Sequence, residues 1–382
     1  MRIAFLTTRF APAIGGVEKY IAELAQAVRA KGHEATVITG AHRDGLLPKE
    51  TIKGITVHRY AAHRAPWRAR RSLRRLERVL RCADVINVSD VLMLERLYES
   101  IQPRKDTVIC LTRHGMSFRW PVPHDEIQRA RSASSLVDAT IDDGCFIAKW
   151  LGVPGDAVVD QGLNPKADDL PRIPVPTTHH AVFVGRLSSD MGIEMYVEAI
   201  DLLRTRYHLD LPMSVFGAGP LEPRLRTLIE QRRLPVTIHR AATAAQNELY
   251  RASLAFVSGR MAIQEAMARR RPVIAACVNP LRFDYVVGEP FGPYVAAARS
   301  SGEIAEKAAH LLNHPDRAAA QADRAFHHVR RLTWDRTAEA YLDLWKTTLA
   351  RKQQPHMPDR KKDQNARMDH PPAHLTEASA CS

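Results

Sequence analysis

The 382-residue sequence is 45% hydrophobic and 25% charged, an ordinary composition for a globular chain long enough to bury two hydrophobic cores. No apolar run approaches the roughly 20 residues that span a bilayer, and residues 1–16 lack the apolar core and cleavage site of a signal peptide, which predicts a cytoplasmic protein. The five cysteines are odd in number and scattered, which argues against a disulfide framework and a zinc site.

The first part of the chain alternates apolar strands with amphipathic helices. The segment "RIAFLTT" reads as a buried strand and is followed by a loop with Gly15 and Gly16, and then by a helix from Val17 to Ala30. Further strands are "EATVIT", "GITVHR", "DVINVS" and "TVICLT". This alternation predicts a doubly wound parallel sheet, in which ligands bind at the carboxyl ends of the strands.

The net charge of +13 is concentrated between two of these strands. Residues 64–81 contain eight arginines and a single glutamate, a net +7. At about 100° per residue the segment forms one amphipathic helix from Pro66 onward, with an apolar face that packs on the sheet. The apolar face consists of Ala69, Leu73, Leu76, Val79 and Leu80, and the outward face of Arg70, Arg71, Arg74, Arg75, Arg78 and Arg81.

The outward arginines have two interpretations. They form either a solvated charged face or a functional surface. Neighbouring like charges destabilise a helix slightly, which suggests a reason for keeping them, and docking on anionic lipid is the preferred reason. No nucleic-acid partner is expected, since Trp67 is the single aromatic residue in this segment and base stacking needs interleaved aromatics. We therefore expect an anionic membrane surface as a possible partner and peripheral association with its inner face.

The second part of the chain repeats the alternation after a linker. Residues 171–180, "PRIPVPTTHH", contain three prolines and no periodic pattern. The strands "AVFVGRL", "MSVFGAGP", "VTIHR", "LAFVSG" and "PVIAA" follow. We predict a Rossmann-like domain over residues 1–172, a second over 173–332, a closing helix over 333–350 that packs towards the first domain, and a disordered tail over 351–382.

The most informative segment runs from Val257 to Ala276 and predicts a strand, a glycine turn, a helix and a second strand. The first turn of a helix has unpaired N–H groups and a partial positive charge, both of which suit a diphosphate. Gly259 lets a ligand approach the backbone, Arg260 adds a cation, and Glu265 lies where ribose hydroxyls would donate to it. The alternative is an ordinary αβ unit with a surface arginine and a solvated glutamate.

Together, six segments in order resemble the retaining glycosyltransferases of family four, which have the GT-B fold of two Rossmann-like domains facing each other across a cleft. The resemblance runs from Met1 to about Ala350. The matching segments are "GGVEKYIAELAQAVRAKGHEATVIT" after the first strand, the "HG" of "TRHG", "VGRL", "FGAGP", "EAMARRRPVIA" and "TWDRTAEAYLDLW".

The resemblance implies a nucleotide-sugar donor bound mainly by the second domain, a glycan or lipid-linked acceptor bound mainly by the first, and no required metal or other cofactor. It also implies three residues in the chemistry. Arg186 would neutralise charge on the leaving diphosphate, Glu265 would bind the donor ribose, and His114 would point into the cleft near the transferred sugar. The implied donor-binding residues are Gly15, Gly16, Gly217, Ser258, Gly259, Arg260, Met261 and Glu265.

Each assignment has an alternative. In the alternative interpretation His114 hydrogen-bonds a backbone carbonyl, Arg186 is an ion-pair partner of Asp190, and Gly217 in "FGAGP" serves only the packing of helix on sheet. The sequence also departs from the family at two positions, because Met191 and Val257 replace an expected lysine and an expected acidic residue. We therefore consider Arg260 as a substitute for the missing cation.

Three functions fit these observations. The first and favoured one is a glycosyltransferase of cell-envelope or polysaccharide biosynthesis that acts with retention of anomeric configuration. The second is a degenerate relative that binds a nucleotide or glycan without turnover, an interpretation motivated by Met191 and Val257. The third is another GT-B activity, such as an epimerase or a phosphorylase, which only the architecture supports.

Overall fold

A computed structural model describes residues 1–13, 15–62, 66–239 and 242–353. The first domain contains an eight-stranded sheet with the neighbour order 3-4-2-1-5-6-7-8, numbered along the chain. Every neighbouring pair is parallel except the pair of the third and fourth strands. The strands are β1 (Arg2–Thr7), β2 (Glu34–Gly40), β3 (Lys49–Ile52), β4 (Ile55–Tyr60), β5 (Val85–Val88), β6 (Val108–Arg113), β7 (Ala139–Asp142) and β8 (Ala157–Val158).

Six helices within the described part of residues 1–172 pack on this sheet, and each buries one apolar face. In the first helix Tyr20, Ile21, Leu24 and Val28 recur at the helical spacing and are almost fully buried against the strands. The helices are α1 (Gly16–Ala30), α2 (Pro66–Arg74), α3 (Glu77–Arg81), α4 (Val91–Ser100), α5 (His124–Ser135) and α6 (Cys145–Leu151).

The arginine-rich segment forms two helices, so the prediction of one continuous helix was wrong. Helix α2 ends at Arg74, and the N–H of Leu76 donates to the carbonyl of Leu73 at 2.9 Å in a tight turn before α3 begins. Crowded arginines on successive turns disfavour a continuous helix. The apolar residues named above still face the core, and all six outward arginines are exposed.

The second domain contains a six-stranded, entirely parallel sheet. Its strands are β9 (Ala181–Val184), β10 (Met213–Phe216), β11 (Val236–His239), β12 (Leu254–Phe256), β13 (Val273–Ala276) and β14 (Ala296–Ala298), in the order β11-β10-β9-β12-β13-β14. The remaining helices are α7 (Ile193–Tyr207), α8 (Glu222–Arg232), α9 (Ala242–Arg251), α10 (Arg260–Ala268), α11 (Pro280–Val287), α12 (Ser301–Asn313), α13 (Pro315–Val329) and α14 (Trp334–Gln353).

The last helix crosses back to the first domain. Trp345 is fully buried there, with its ring 6.0 Å from that of Phe5 and 5.3 Å from that of Tyr341. The hydroxyls of Tyr341 and Tyr20 are 3.0 Å apart. Helix α14 continues to Gln353, three residues past Ala350, where the closing helix was predicted to end; the rest of the predicted tail lies outside the described residues.

The prediction of two Rossmann-like domains with parallel sheets is confirmed. None of the helices in the described ranges is long and apolar enough to cross a bilayer.

Candidate active site

Several hydrogen bonds and ion pairs connect the two domains across the cleft. Lys19 of α1 pairs with Glu265 of α10, with Nζ 2.7 Å from Oε1. The buried side-chain amide of Gln161 donates to that of Gln264 at 2.9 Å. The candidate residues follow the carboxyl ends of β1, β6, β9, β10 and β12, either in the loop or on the next helix, as expected for parallel sheets.

Helix α10 begins directly after the turn at Gly259. A Cβ atom built on Gly259 would meet nothing within 4 Å, so open space lies over the first turn. The N–H of Arg260 donates to the hydroxyl of Tyr285 at 2.7 Å, and sequence reasoning did not identify this partner. The side chain of Ser258 is turned into the core, where its Oγ lies 2.8 Å from the hydroxyl of Tyr196. Ser258 therefore offers the cleft only its backbone.

Glu265 lies one turn further along α10 than Met261, on the face towards the first domain. Its side chain is 14% exposed and is held by Lys19, whose side chain is 36% exposed. Met261 is half-buried, one turn closer to the start of the helix. The carboxylate at the position expected for ribose binding is therefore accessible from the cleft and already has a cationic partner.

Arg260 lies in a buried charged cluster. Its side chain is 4% exposed, with Nη2 2.8 Å from Glu289, and with Nη1 3.6 Å from Asp160 and 4.0 Å from Asp143. Burial lowers the pKa of Arg260, but Asp143, Glu289, Tyr285 and Asp160 together more than offset it and keep the pKa above its usual value. Burial raises the pKa of Glu289, against the opposing charge of Arg260. The charge of Arg260 is already balanced by these carboxylates. The structure therefore does not favour Arg260 as the substitute for the lysine that the family has at position 191.

His114 follows β6 and faces the same cluster. Its Nδ1 lies 3.3 Å from Asp143, and its ring packs edge-on against Tyr20 with centroids 4.7 Å apart. The partner of His114 is therefore a carboxylate rather than the backbone carbonyl of the alternative interpretation. The preceding Arg113 forms a bidentate ion pair with Asp142 at 2.5 and 2.8 Å, which joins the ends of β6 and β7 just before the loop that carries His114.

Arg186 follows β9 and is the most exposed of the candidate cations. Its side chain is 68% exposed and pairs with Asp190 at 3.0 Å, as the ion-pair alternative predicted. Asp190 also accepts from Arg282 of α11 at 2.6 Å. Burial raises the pKa of Asp190, but the hydrogen bond from Ser188 and the charges of Arg282 and Arg186 together leave it below its usual value. Sequence reasoning did not identify Arg282, which lies 92 residues from its partner.

The three remaining glycines differ in their surroundings. Gly16 is exposed, and a Cβ there would meet nothing within 4 Å, whereas one on Gly15 would collide with Glu18 at 2.2 Å. A Cβ on Gly217 would lie 1.8 Å from the carbonyl oxygen of Gly185. Close packing of two strand ends therefore accounts for Gly217, which agrees with the packing alternative.

Two family models match the sequence. The model described as Glycosyltransferase Family 4 matches residues 14–141, and the model described as Glycosyl transferases group 1 matches residues 178–314. The two matches cover both domains. The chain belongs to the family-four glycosyltransferases.

Solved structures share the fold of this glycosyltransferase at low sequence identity. A sucrose-phosphate synthase from Thermosynechococcus elongatus is 17% identical, with a TM-score of 0.73 over 92% of this chain and 99% of that one. A glycosyltransferase from Rickettsia africae is 15% identical, with a TM-score of 0.64 over 91% and 99%. A TarM variant from S. aureus is 11% identical, with a TM-score of 0.69 over 90% and 100%. No curated protein sequence matches significantly.

The two departures from the family lie in different surroundings. Val257 is fully buried in an apolar cluster with Ile263 and Val182. The position at which the family has an acidic residue is therefore part of the hydrophobic core. Met191 is 9% exposed and lies 4.0 Å from Arg282, measured from Sδ to Nη2. Within the described ranges of this glycosyltransferase, no group of three or more His, Cys, Asp or Glu residues is placed to hold a metal ion. Independence from metals stays a prediction.

Proposed function

We propose that this glycosyltransferase moves a sugar from a nucleotide-sugar donor to a glycan or lipid-linked acceptor, with retention of anomeric configuration, in cell-envelope or polysaccharide biosynthesis. The second domain holds the donor and the first holds the acceptor. No metal or other cofactor takes part.

The start of helix α10 carries this proposal. It combines a helix N-terminus with the open space over Gly259 and, more than one turn further, the cleft-facing carboxylate of Glu265. The helix end suits a diphosphate, and the carboxylate suits the hydroxyls of a ribose. Structures with the same fold agree with such a donor: the TarM complex contains UDP, and an E. coli protein with a TM-score of 0.64 is described as bound with UDP-2-fluoro glucose.

In the proposed reaction the bond between the sugar's anomeric carbon and the diphosphate oxygen breaks. The acceptor hydroxyl oxygen forms the new bond to that carbon, and its proton leaves with the nucleoside diphosphate. Negative charge therefore grows on the diphosphate, where the helix end and the exposed side chain of Arg186 stabilise it. Asp143 holds the ring of His114 in the cleft, beside the expected position of the transferred sugar.

The arginine surface, defined as the six exposed arginines of residues 70–81, supports docking to an anionic leaflet. Its members are Arg70, Arg71, Arg74, Arg75, Arg78 and Arg81. Trp67, at 59% exposure, lies at its edge and offers an apolar side chain. Basic residues near such a leaflet contribute about 1 kcal/mol each, so a few engaged arginines suffice for reversible binding. Docking would bring the first domain to a lipid-linked acceptor.

A ligand panel tests the donor site. Purified protein is heated with the uridine, guanosine, adenosine and thymidine diphosphates and their sugar conjugates, beside Glu265→Ala and the matched control Glu230→Ala, an exposed carboxylate on α8. We expect one base to raise the melting temperature of the wild type and the control, but not that of Glu265→Ala. Stabilisation that survives in Glu265→Ala would contradict the role of this residue.

Turnover and docking need separate measurements. Release of the nucleoside diphosphate with an acceptor present, unchanged after dialysis against EDTA, supports a metal-independent transferase, whereas binding without any product supports the degenerate alternative. Co-sedimentation with phosphatidylglycerol vesicles, but not with phosphatidylcholine vesicles, supports docking. Replacement of Arg71, Arg75 and Arg78 by glutamine should abolish that binding, and binding that persists in this triple variant would contradict the assignment of the surface.

A further inference from the structure

Arg282 is a fully buried arginine at the edge of the proposed donor site. Asn279 caps the start of helix α11, its side chain accepts from the N–H of Arg282 at 2.8 Å, and Pro280 is the first residue of the helix. This cap fixes the start of the helix and therefore the direction of the arginine. The residue is 1% exposed, although its guanidinium is charged.

The guanidinium lies between the two domains. It packs over the ring of Phe118, from the loop that follows β6, at 3.6 Å to the ring centroid, and lies 5.0 Å from that of Tyr285. Its Nη2 donates to Asp190 at 2.6 Å, but its buried Nε has no hydrogen-bond partner among the described residues. An unpaired buried donor is costly and indicates that an acceptor belongs there.

The charges around Arg282 do not balance. Its carboxylate partner, Asp190, is shared with Arg186, so two guanidinium groups face one carboxylate. The excess positive charge lies at the carboxyl end of β9, where a parallel sheet receives its ligand. Nearby anionic groups of a donor would satisfy both the excess charge and the free Nε.

Met191, which stands where the family has a lysine, lies beside Arg282 of α11. Its Sδ lies 4.0 Å from Nη2 of Arg282, so a lysine at position 191 would bring a second cation against the guanidinium. Like charges at that distance repel strongly in a buried site. A neutral side chain at 191 and a cation at 282 are therefore two parts of one arrangement.

We propose that Arg282 binds the diphosphate of the donor and supplies the cation for which the resemblance implies a lysine at position 191. This inference rests on the proposed function, because it requires a nucleotide-sugar donor. The forked guanidinium suits phosphate oxygens better than an ammonium does. As the bond to the anomeric carbon breaks, Arg282 and Arg186 share the charge that develops on the leaving diphosphate.

The test compares affinities for a nucleoside diphosphate and for the corresponding nucleoside, which has the same base and ribose but no phosphate. Titrations use the uridine, guanosine, adenosine or thymidine pair to which the wild type binds. The variants are Arg282→Gln and the double variant Met191→Lys/Arg282→Gln. The control is Arg204→Gln, which removes another aspartate-paired arginine from the last turn of α7, at its end away from Met191.

We expect Arg282→Gln to weaken diphosphate binding by about 10- to 100-fold, the value of a charge-assisted hydrogen bond, with nucleoside binding unchanged. The double variant should regain most of this loss, because its lysine returns a cation to the neighbouring position. The Arg204→Gln control should bind both ligands as the wild type does. Rescue by a cation at position 191 would not follow if Arg282 only held the domains together.

Failure of this inference differs from failure of the proposed function. A wild type that binds no nucleoside diphosphate overturns both. If the wild type binds a nucleoside diphosphate and Arg282→Gln binds it with the same affinity, only the assignment of Arg282 is overturned. If Arg282→Gln does not fold, Arg282→Lys replaces it in the titrations. We expect this variant to lose about 3- to 10-fold in affinity for the diphosphate and to bind the nucleoside as the wild type does. Unchanged affinity for both ligands would overturn the assignment.

Discussion

Replacement of Arg260 by methionine should destabilise the protein strongly, because it removes the central cation of the buried cluster. Glu289 is 0% exposed at its side chain and lies 2.8 Å from the guanidinium, and Asp160 and Asp143 approach within 3.6 and 4.0 Å. Methionine fills much of the same volume without charge. The variant therefore tests the electrostatic contribution of Arg260 with little change in packing.

The magnitude follows from the closest pair. Two unit charges 2.8 Å apart attract by about 6 kcal/mol at an effective dielectric constant of about 20. Burial of the guanidinium offsets part of this attraction, but the loss of one partner leaves the other charge buried and unpaired. We therefore expect Arg260→Met to lower the free energy of unfolding by about 3–5 kcal/mol.

Denaturant unfolding at two pH values measures this effect. The double variant Arg260→Met/Glu289→Gln should recover much of the loss, because it also removes the unpaired charge. Burial already raises the pKa of Glu289, and loss of Arg260 raises it further, so the carboxylate becomes neutral as the pH falls and the deficit of Arg260→Met should shrink. A deficit below about 1 kcal/mol, or no recovery with Glu289→Gln, would refute the reasoning.

Three further predictions concern the core, the pH dependence and the cleft. Trp345→Ala should lower the free energy of unfolding by about 3–5 kcal/mol, since it leaves a cavity at a fully buried site beside Phe5. A loss of less than about 1 kcal/mol in denaturant unfolding would contradict the packing of α14 on the first domain. Burial lowers the pKa of His180 below 6.5, so protonation favours the unfolded chain and stability should fall as the pH drops below about 6.5. The melting temperature of His180→Gln should fall less between pH 7.5 and 5.5, and an equal fall would exclude this histidine as a cause. Lys19→Met should raise the affinity for the bare nucleoside by up to about 5-fold in titrations, and a lower affinity would contradict competition for Glu265.

The strands and the site-bearing turns could be predicted from local patterns. The buried strands are continuous apolar runs, and the turn at Gly259, with Glu265 more than one helical turn beyond it, was visible in the sequence alone. The resemblance added the pairing of the two domains. The position of α14 on the first domain depends on tertiary contacts of Trp345 and Tyr341, but its apolar residues recur at helical spacing and were sufficient to predict a packed helix.

Side-chain direction was the part that the sequence could not specify. Ser258 follows a strand at the expected ligand edge, yet the hydroxyl of Tyr196 draws its side chain into the core. Arg260 stands at the start of α10, but three carboxylates from other segments surround it. Arg282 and Asp190 are adjacent only because the start of α11 and the segment after β9 meet at one sheet edge. Such contacts join residues far apart in the sequence, and no local pattern encodes them.

The pair between Lys19 and Glu265 joins the proposed donor site to the first domain. The ammonium lies 2.7 Å from the carboxylate that the proposal assigns to ribose. A ribose that donates to Glu265 must share or displace that ammonium, and the exchange costs little because the pair is partly exposed. Once displaced, Lys19 becomes a free cation beside an anionic donor. Under the proposed function the same lysine orients Glu265 and offers the donor a contact from the first domain, and this would couple donor binding to the relative position of the two domains.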